Sequence, residues 1–449
     1  MPCPHCPHCR EEERVRREIH KMLAQFPPDS QNPVPIVASS DSQVDSLDEK
    51  KEEEEEEVPL LRPEQKSIAE QICNTIMEQK FHFIGGIAGS GKSYLLDAIS
   101  ILMRKLRLNV VVLATSQHMT KSGHTMYEFL KKSEDELEDV DVILVDNVNT
   151  VPDVELFKLS SKFNRAMNTG PGVLFGGKGV VLAGDYGQCL PFCKEKTRCT
   201  LKHFTSGDKF KKHVLPTGAD EWSQWLSEIR KSPKIGIPAK YIVKDLKTLV
   251  NKVFGDVYFD APEDGVILTT TKAKVEEVNR EVLSRMSGRM HVFEALFNDN
   301  TIRGDLDFHE LSLKDDAILI LEEAYEGVLR NTRLRFESPN ESGSSLSCRV
   351  MEGPHKGKPL DVKRVKRNLA AHLGESQQWV RQFPVALAFA MTIYGSQGKR
   401  FDRVGCFKLD TAFEHGQVYT AISRCSSGDN LHILSTDDII PNKIDLTLL

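Results

Sequence analysis

The chain has 449 residues, 40% hydrophobic and 28% charged, which at about 150 residues per domain is material for roughly three folding units. No run approaches the ~18 uninterrupted apolar residues of a membrane span, and no apolar stretch follows a basic start as in a secretory signal. Ten cysteines in such a chain read as intracellular thiols rather than a disulfide framework, so membrane, secreted and fibrous classes are excluded.

The net charge of −6 is unevenly spread. Residues 1–60 hold 15 acidic and 7 basic side chains, leaving 50 acidic and 52 basic in the rest. Within that start, 31–48 is rich in Ser, Pro, Gln and Asp, and 52–57 is an unbroken run of Glu. Such composition buries too little apolar surface to offset its ordering entropy, so 1–59 is expected to be a disordered acidic tail. A short helix over 11–26 is its one candidate element. The opening Cys3-Pro4-His5-Cys6-Pro7-His8-Cys9 has soft ligands in number. Seven consecutive residues wrap one tetrahedral ion poorly, however, and no second paired cluster follows. The expectation is therefore a reduced tract without zinc at Cys3, Cys6 and Cys9.

From residue 60 strands alternate with helices: helix 65–79, strand 81–85, helix 94–106, then apolar strands 109–114, 140–145 and 179–183. Continuous Val, Ile and Leu runs suit strands buried on both faces, and the alternation predicts a doubly wound α/β domain over 60–216 with a parallel sheet. A second domain follows over 217–449, with strand 266–270 and helix 274–286. Between about 313 and 381 the pattern turns irregular and basic, which predicts a small β-rich insert. The strand-and-helix style returns over 383–392, 404–409 and 431–434.

Chemistry enters at Gly86-Ile87-Ala88-Gly89-Ser90-Gly91-Lys92-Ser93, between the first strand and its helix. This is the phosphate loop in its proper context. Gly86, Gly89, Ser90 and Gly91 offer backbone N–H groups to phosphates, Lys92 reaches the β- and γ-phosphates, and the Ser93 hydroxyl suits Mg²⁺. Such a loop needs a carboxylate at the end of a neighbouring strand. Val142-Ile143-Leu144-Val145-Asp146 supplies Asp146 for the metal.

With these motifs in place, the spacing from about 60 to 440 resembles the Pif/Helitron-type DNA helicases of superfamily one. Leu61-Arg62-Pro63-Glu64-Gln65 is similar to the family's adenine-reading motif, with Gln65 as its glutamine. Ala114-Thr115-Ser116 and Gly123-His124-Thr125-Met126-Tyr127-Glu128-Phe129 resemble its DNA-contacting motif. Gly184-Asp185-Tyr186-Gly187-Gln188 resembles the γ-phosphate sensor, with Gln188 sensing. Asn331-Thr332-Arg333-Leu334 looks like a signature of the inserted barrel. The stretch from Arg381 to Ile393, then Ser396-Gln397-Gly398, and finally Val418-Tyr419-Thr420-Ala421-Ile422-Ser423-Arg424 complete the set.

The resemblance implies two RecA-like motor domains with ATP in the cleft between them. Lys92, Asp146, Gln188 and the arginine finger Arg424 would be catalytic; Gln397 and Gly398 would join the nucleotide contacts. The expected partner is single-stranded or forked DNA, with Thr115, Ser116, Thr125, Tyr127, Thr392 and Ser396 as contacts, and with no membrane. His124, Tyr127 and Phe129 are candidates for stacking bases. The basic stretch Lys363-Arg364-Val365-Lys366-Arg367 reads equally as a DNA contact or a solvated loop. A monomer is compatible with this, and a nuclear location is expected.

Three positions depart from the family pattern. Asn147 follows the metal-holding Asp where the family has a Glu that polarises the attacking water; Asn can orient water but cannot take its proton. No Asn-Met-Arg-like motif follows the sensor between Pro191 and Trp222. Gly395 stands where the family has Lys. Two readings stay open: an ATP-dependent DNA helicase, and an ATP-gated, hydrolysis-impaired DNA-binding protein derived from one. An unrelated P-loop kinase is disfavoured by the C-terminal motifs.

Overall fold

The computed structural model describes residues 58–115, 123–170, 172–191, 209–255, 265–297, 310–368 and 379–446. The acidic tail, the candidate helix at 11–26, the Cys/His tract and Ser116 lie outside the described residues. The chain divides into two compact units: one runs to Tyr186 and includes 190–218, and the other takes in Gly187–Cys189 and the chain from Ala219 onward.

The first unit is built on six parallel strands: β1 (Phe81–Gly85), β2 (Val110–Ala114), β3 (His124–Thr125), β4 (Val142–Val145), β5 (Gly179–Gly184) and β6 (Lys211–Val214). Their order in the sheet is β3-β2-β4-β5-β1-β6. The central strands are apolar without alternation because helices cover both faces. On one face α1 (Pro63–Thr75) and α2 (Lys92–Lys105) bury Ile72, Leu95, Ile99 and Met103. On the other, α3 (Asp153–Ala166) buries Leu156, Leu159 and Phe163. The loops after β1 and β4, with β5 between the two strands, thus leave the same end of the sheet, where ligands bind in sheets of this kind.

The second unit has its own parallel sheet. In chain order its main elements are α4 (Glu221–Ile229), β7 (Ile242–Val243), α5 (Leu246–Phe254), β8 (Gly265–Thr269), α6 (Lys272–Arg285), β9 (Ile318–Leu321), β10 (Arg333–Pro339), β11 (Ser345–Val350), β12 (Pro359–Lys363), β13 (Val385–Leu387), β14 (Ala390–Thr392), β15 (Arg403–Phe407), α7 (Gln417–Ile422) and β16 (Leu431–Leu434). The parallel sheet runs β14-β8-β15-β16-β7, and an antiparallel sheet runs β12-β11-β10-β9-β13. Leu249, Val253, Val278 and Val282 beside the parallel sheet share one continuous core with Leu319, Phe336, Val362 and Phe383 of the antiparallel part. The β-rich insert is therefore fused to its host rather than hung from a linker. None of the described helices is long and apolar enough to cross a membrane.

Candidate functional site

Gly91 caps α2 with φ 91°, a left-handed conformation that costs a side-chain-bearing residue but not glycine. A Cβ there would also lie 2.5 Å from Gln65 Nε2, so the residue is glycine for two reasons. Lys92 is buried and its Nζ donates to the carbonyls of Gly86 (3.0 Å) and Ile87 (2.9 Å), which holds the ammonium inside the loop. Ser90 Oγ is buried with no hydrogen-bond partner. An orphaned hydroxyl beside a caged ammonium is what a phosphate-binding loop presents before its ligand.

Asp146 ends β4, almost fully buried, and accepts hydrogen bonds from the Ser93 hydroxyl and from the Asn147 N–H at 2.8 Å. Burial pushes its carboxyl up to about 6, against the pull of those two bonds and of the Lys92 charge. Ser93 and Asp146 are thus already in contact. One hydroxyl and one carboxylate are hard oxygen donors of the kind Mg²⁺ takes, with water and phosphate completing its shell. The residues present fit that ion.

Gln65, at the third position of α1, accepts the Arg62 N–H at 3.1 Å and donates Nε2 to Gly91 O at 3.4 Å. Arg62 Nη2 in turn donates to Ser90 O at 2.6 Å. The glutamine is therefore placed against the phosphate loop, and Arg62, which the sequence reading left without a role, braces the same loop.

Asn147 has φ 49° and ψ 43°, a left-handed backbone that Asn tolerates better than most residues. Its carbonyl accepts the Thr150 hydroxyl at 2.8 Å, and Thr150 Oγ1 lies 2.7 Å from Thr115 Oγ1. A chain of hydroxyls thus runs from the end of β2 to the loop after Asp146. Two residues on, Asn149 accepts the Asp185 N–H at 3.1 Å and leaves its Nδ2 buried without a partner.

In the second unit, Arg424 is buried and well held. Its Nε donates to Thr420 O (3.1 Å), Nη1 to Lys399 O (3.3 Å), and Nη2 to Gln188 Oε1 (3.1 Å) and Ser423 Oγ (3.1 Å). Gln188 reaches it because Gly416, at φ 74°, has no side chain; a Cβ there would meet the Gln188 backbone at 2.5 Å. The Thr420 hydroxyl accepts the Cys189 N–H at 2.8 Å, and Gln397 Nε2 donates to Cys189 O at 2.7 Å. Burial pushes the Cys189 thiol up to about 12, so it is an inert packing group. The sensor segment, the glutamine of the Ser-Gln-Gly motif and the last helical motif thus form one hydrogen-bonded patch with Gly398 beside it.

The nucleic-acid candidates divide. Tyr127 is 67% exposed, with Lys131 Nζ 4.0 Å from its ring centre, and His124 is exposed as well. Thr125 caps a one-turn helix at Met126–Phe129: its Oγ1 accepts the Glu128 N–H at 3.1 Å and donates to Glu128 Oε2 at 2.9 Å. Thr392 is half-buried and accepts the Gly395 N–H at 3.2 Å. Two expectations are corrected. Ser396 has no exposed surface and its hydroxyl donates to Ile393 O at 2.7 Å, so it cannot touch a strand. Phe129 is buried against Phe163, a core residue rather than a stacking platform.

The basic stretch of the insert also divides. Arg364 covers the Phe383 ring at 4.3 Å, and Arg367 pairs with Glu322 at 3.0 Å. Lys363 and Lys366 stay exposed. Lys366 stands directly across from Arg381 in an antiparallel strand pair, and the two cations lie 5.2 Å and 5.1 Å from the Trp379 ring. Like charges placed opposite each other destabilise a sheet unless something anionic meets them.

No family model matches the chain. It is similar to the ATP-dependent DNA helicase Pif1 of Campylobacter jejuni, 24% identical over 80% of this chain and 89% of that protein. The Pif1 helicase of Bdellovibrio bacteriovorus is 21% identical over 78% of this chain and 83% of its own length. Among solved structures, Bacteroides Pif1 bound to single-stranded DNA matches 86% of this chain and all of that one, with a TM-score of 0.61 at 18% identity. A structure of two coordinating Pif1 helicases at forked DNA matches with a TM-score of 0.61 at 20% identity, over 84% of this chain and 93% of that one. At these identities the structural likeness speaks for the fold. Over about four fifths of its length the chain is thus similar to Pif1 ATP-dependent DNA helicases.

Proposed function

We propose that the protein is an ATP-dependent DNA helicase that translocates along single-stranded DNA, five-prime to three-prime, at the expense of ATP. In this reading Lys92 and the loop glycines bind the phosphates, Gln65 faces the adenine, and Ser93 with Asp146 holds Mg²⁺. The ion, when bound, would neutralise charge on the β- and γ-phosphates. Gln188 and Arg424 report the γ-phosphate, with Gln397 and Gly398 supporting them. Single-stranded or forked DNA is the partner, met through Thr115, Thr392, Tyr127 and the Lys366–Trp379–Arg381 face. An intracellular location, nuclear in a eukaryote, belongs to the same proposal.

One observation carries the reading: a phosphate loop with Lys92 and Ser93 poised on Asp146, in the same chain as a buried arginine bonded to a sensor glutamine. ATP turnover with and without single-stranded DNA, together with strand displacement on a forked duplex, tests it. DNA-stimulated turnover and displacement are expected; turnover indifferent to DNA counts against it.

A second reading is favoured by Asn147. With no carboxylate at that position, the protein would bind ATP and DNA yet hydrolyse slowly. Tight nucleotide binding without stimulated turnover identifies that case.

A further inference from the structure

Lys399 directly follows the Ser396-Gln397-Gly398 motif, and nothing in the motif calls for a lysine there. Its side chain is 6% exposed. The ammonium donates to Asn331 O at 2.7 Å and to the Glu352 carboxylate. Glu352 stands just beyond β11, in the turn that leads to β12, and also accepts the Arg333 N–H at 2.8 Å, with the Arg333 guanidinium 3.7 Å from its other oxygen. Burial alone would raise the Glu352 carboxyl, but Lys399 and Arg333 hold it below the usual range. Lys399 is pulled down chiefly by its burial.

The backbone of the same lysine meets Arg424. Lys399 O accepts Arg424 Nη1 at 3.3 Å, and two residues on, the Phe401 N–H donates to Arg424 O at 3.0 Å. Arg424 is thus gripped at side chain and backbone by a three-residue segment whose first side chain is locked into the antiparallel insert. Two cations, Lys399 and Arg333, meet at Glu352, whose carboxylate offsets their mutual repulsion. Removing one partner from a buried ion pair leaves an uncompensated charge, which is far costlier than removing both.

We infer that Glu352 and Lys399 are positioning residues for Arg424: the ion pair fixes the segment whose carbonyl aims the guanidinium, and so ties the arginine's aim to the insert. The inference rests on the proposed role of Arg424 at the γ-phosphate. An arginine that acts in the transition state must be placed to a fraction of an ångström, whereas ground-state nucleotide binding through the phosphate loop needs no such aim.

The test compares the natural protein with Lys399→Met, Glu352→Gln, the double variant and Lys399→Arg. Readouts are the thermal midpoint, affinities for ADP and for ADP with aluminium fluoride, which mimics the transferring phosphoryl group, and kcat and KM for ATP with single-stranded DNA. The double variant removes both members of the pair and leaves the Arg333 guanidinium its bond to Gly265 O at 3.3 Å, which keeps the test open if a single variant fails to fold. Expected are ADP affinity and KM within about twofold of the natural protein, a kcat lower by about tenfold or more, and an equal loss of the extra affinity for the fluoride complex. Lys399→Arg should recover most of both. Unchanged kcat and unchanged fluoride affinity in a folded double variant overturn the inference, as does a loss shared equally by ADP and its fluoride complex. If the natural protein itself gains no affinity from ADP to the fluoride complex, the role of Arg424 falls first and the inference with it.

Discussion

Arg424 Nη2 donates to Gln188 Oε1 at 3.1 Å, joining two residues 236 positions apart, each about 5% exposed or less. A guanidinium and an amide bonded to each other in a buried site respond as a pair. A phosphate can accept from the Gln188 Nε2 N–H while Oε1 keeps its bond to Arg424, so the two side chains can meet it together. Hydrogen bonds to charged groups in such settings are worth about 1.5–3 kcal/mol, enough for the loss of one partner to disturb the other. Gln188→Ala should therefore lower DNA-stimulated kcat by about tenfold or more while ADP affinity stays within twofold; equal effects on both would show that the bond is only structural.

Nucleotide binding should depend on Lys92. Its ammonium is the cation that the loop cages, and losing its contacts to phosphate oxygens should cost about 3 kcal/mol, roughly 100-fold in affinity. Titration of a fluorescent ATP analogue into Lys92→Ala checks this, with circular dichroism to confirm the fold. Unchanged affinity would remove the basis of the nucleotide site.

Asn147→Glu should raise DNA-stimulated ATPase. A missing general base commonly costs about 10²–10⁴-fold in rate. The gain will be partial, since Glu fits the left-handed backbone of residue 147 less well than Asn, at about 1 kcal/mol. Brisk turnover by the natural protein would instead point to another base such as Asp185, which ends β5 and bonds through its N–H to Asn149.

Binding of single-stranded DNA should weaken steeply with salt, because bound cations release counterions. Trp379→Ala should lower affinity about tenfold, in line with the 1–3 kcal/mol of base stacking on an aromatic ring. Deleting residues 1–57, which carry most of the acidic excess, should leave binding equal or tighter. Fluorescence anisotropy at several salt concentrations measures all three.

Stability should fall in mild acid. His82 has no exposed surface, its Nδ1 lies 3.0 Å from His213 Nε2, and burial lowers its pKa from 6.5 to about 4, with that of His213 lowered for the same reason. Both rings are neutral in the folded state, while the unfolded chain takes up protons below 6.5. Their contribution is whole above that value and is lost as pH falls toward 4. Thermal midpoints at pH 7.5, 6 and 5 should descend, and His82→Leu with His213→Leu should flatten the descent.

What could be read from the sequence is what lies close together in the chain. The phosphate loop is one strand, one turn and one helix, so its eight residues carry their own geometry. The apolar strands announce a buried parallel sheet for the same reason. Glu352, Lys399 and Arg424 are separated by 47 and 25 residues, and only the folding of the insert onto the parallel sheet brings them together. Ser396 was misjudged because a motif gives residue type and spacing but not burial. Thr125 shows another limit: a threonine three residues before a glutamate caps a helix, and that local use competes with any ligand for its hydroxyl.

The hydroxyl chain from Thr115 to Asn147 carries a direction. Thr150 has one proton and gives it to the Asn147 carbonyl, so at the 2.7 Å contact it is Thr115 that must donate. Thr115 also has one proton, and that contact spends it. A phosphate oxygen offers only lone pairs, so the Thr115 hydroxyl can donate to one only by turning its proton away from Thr150. Gripping a DNA phosphate and tethering the loop after Asp146 are then alternatives for a single hydrogen atom.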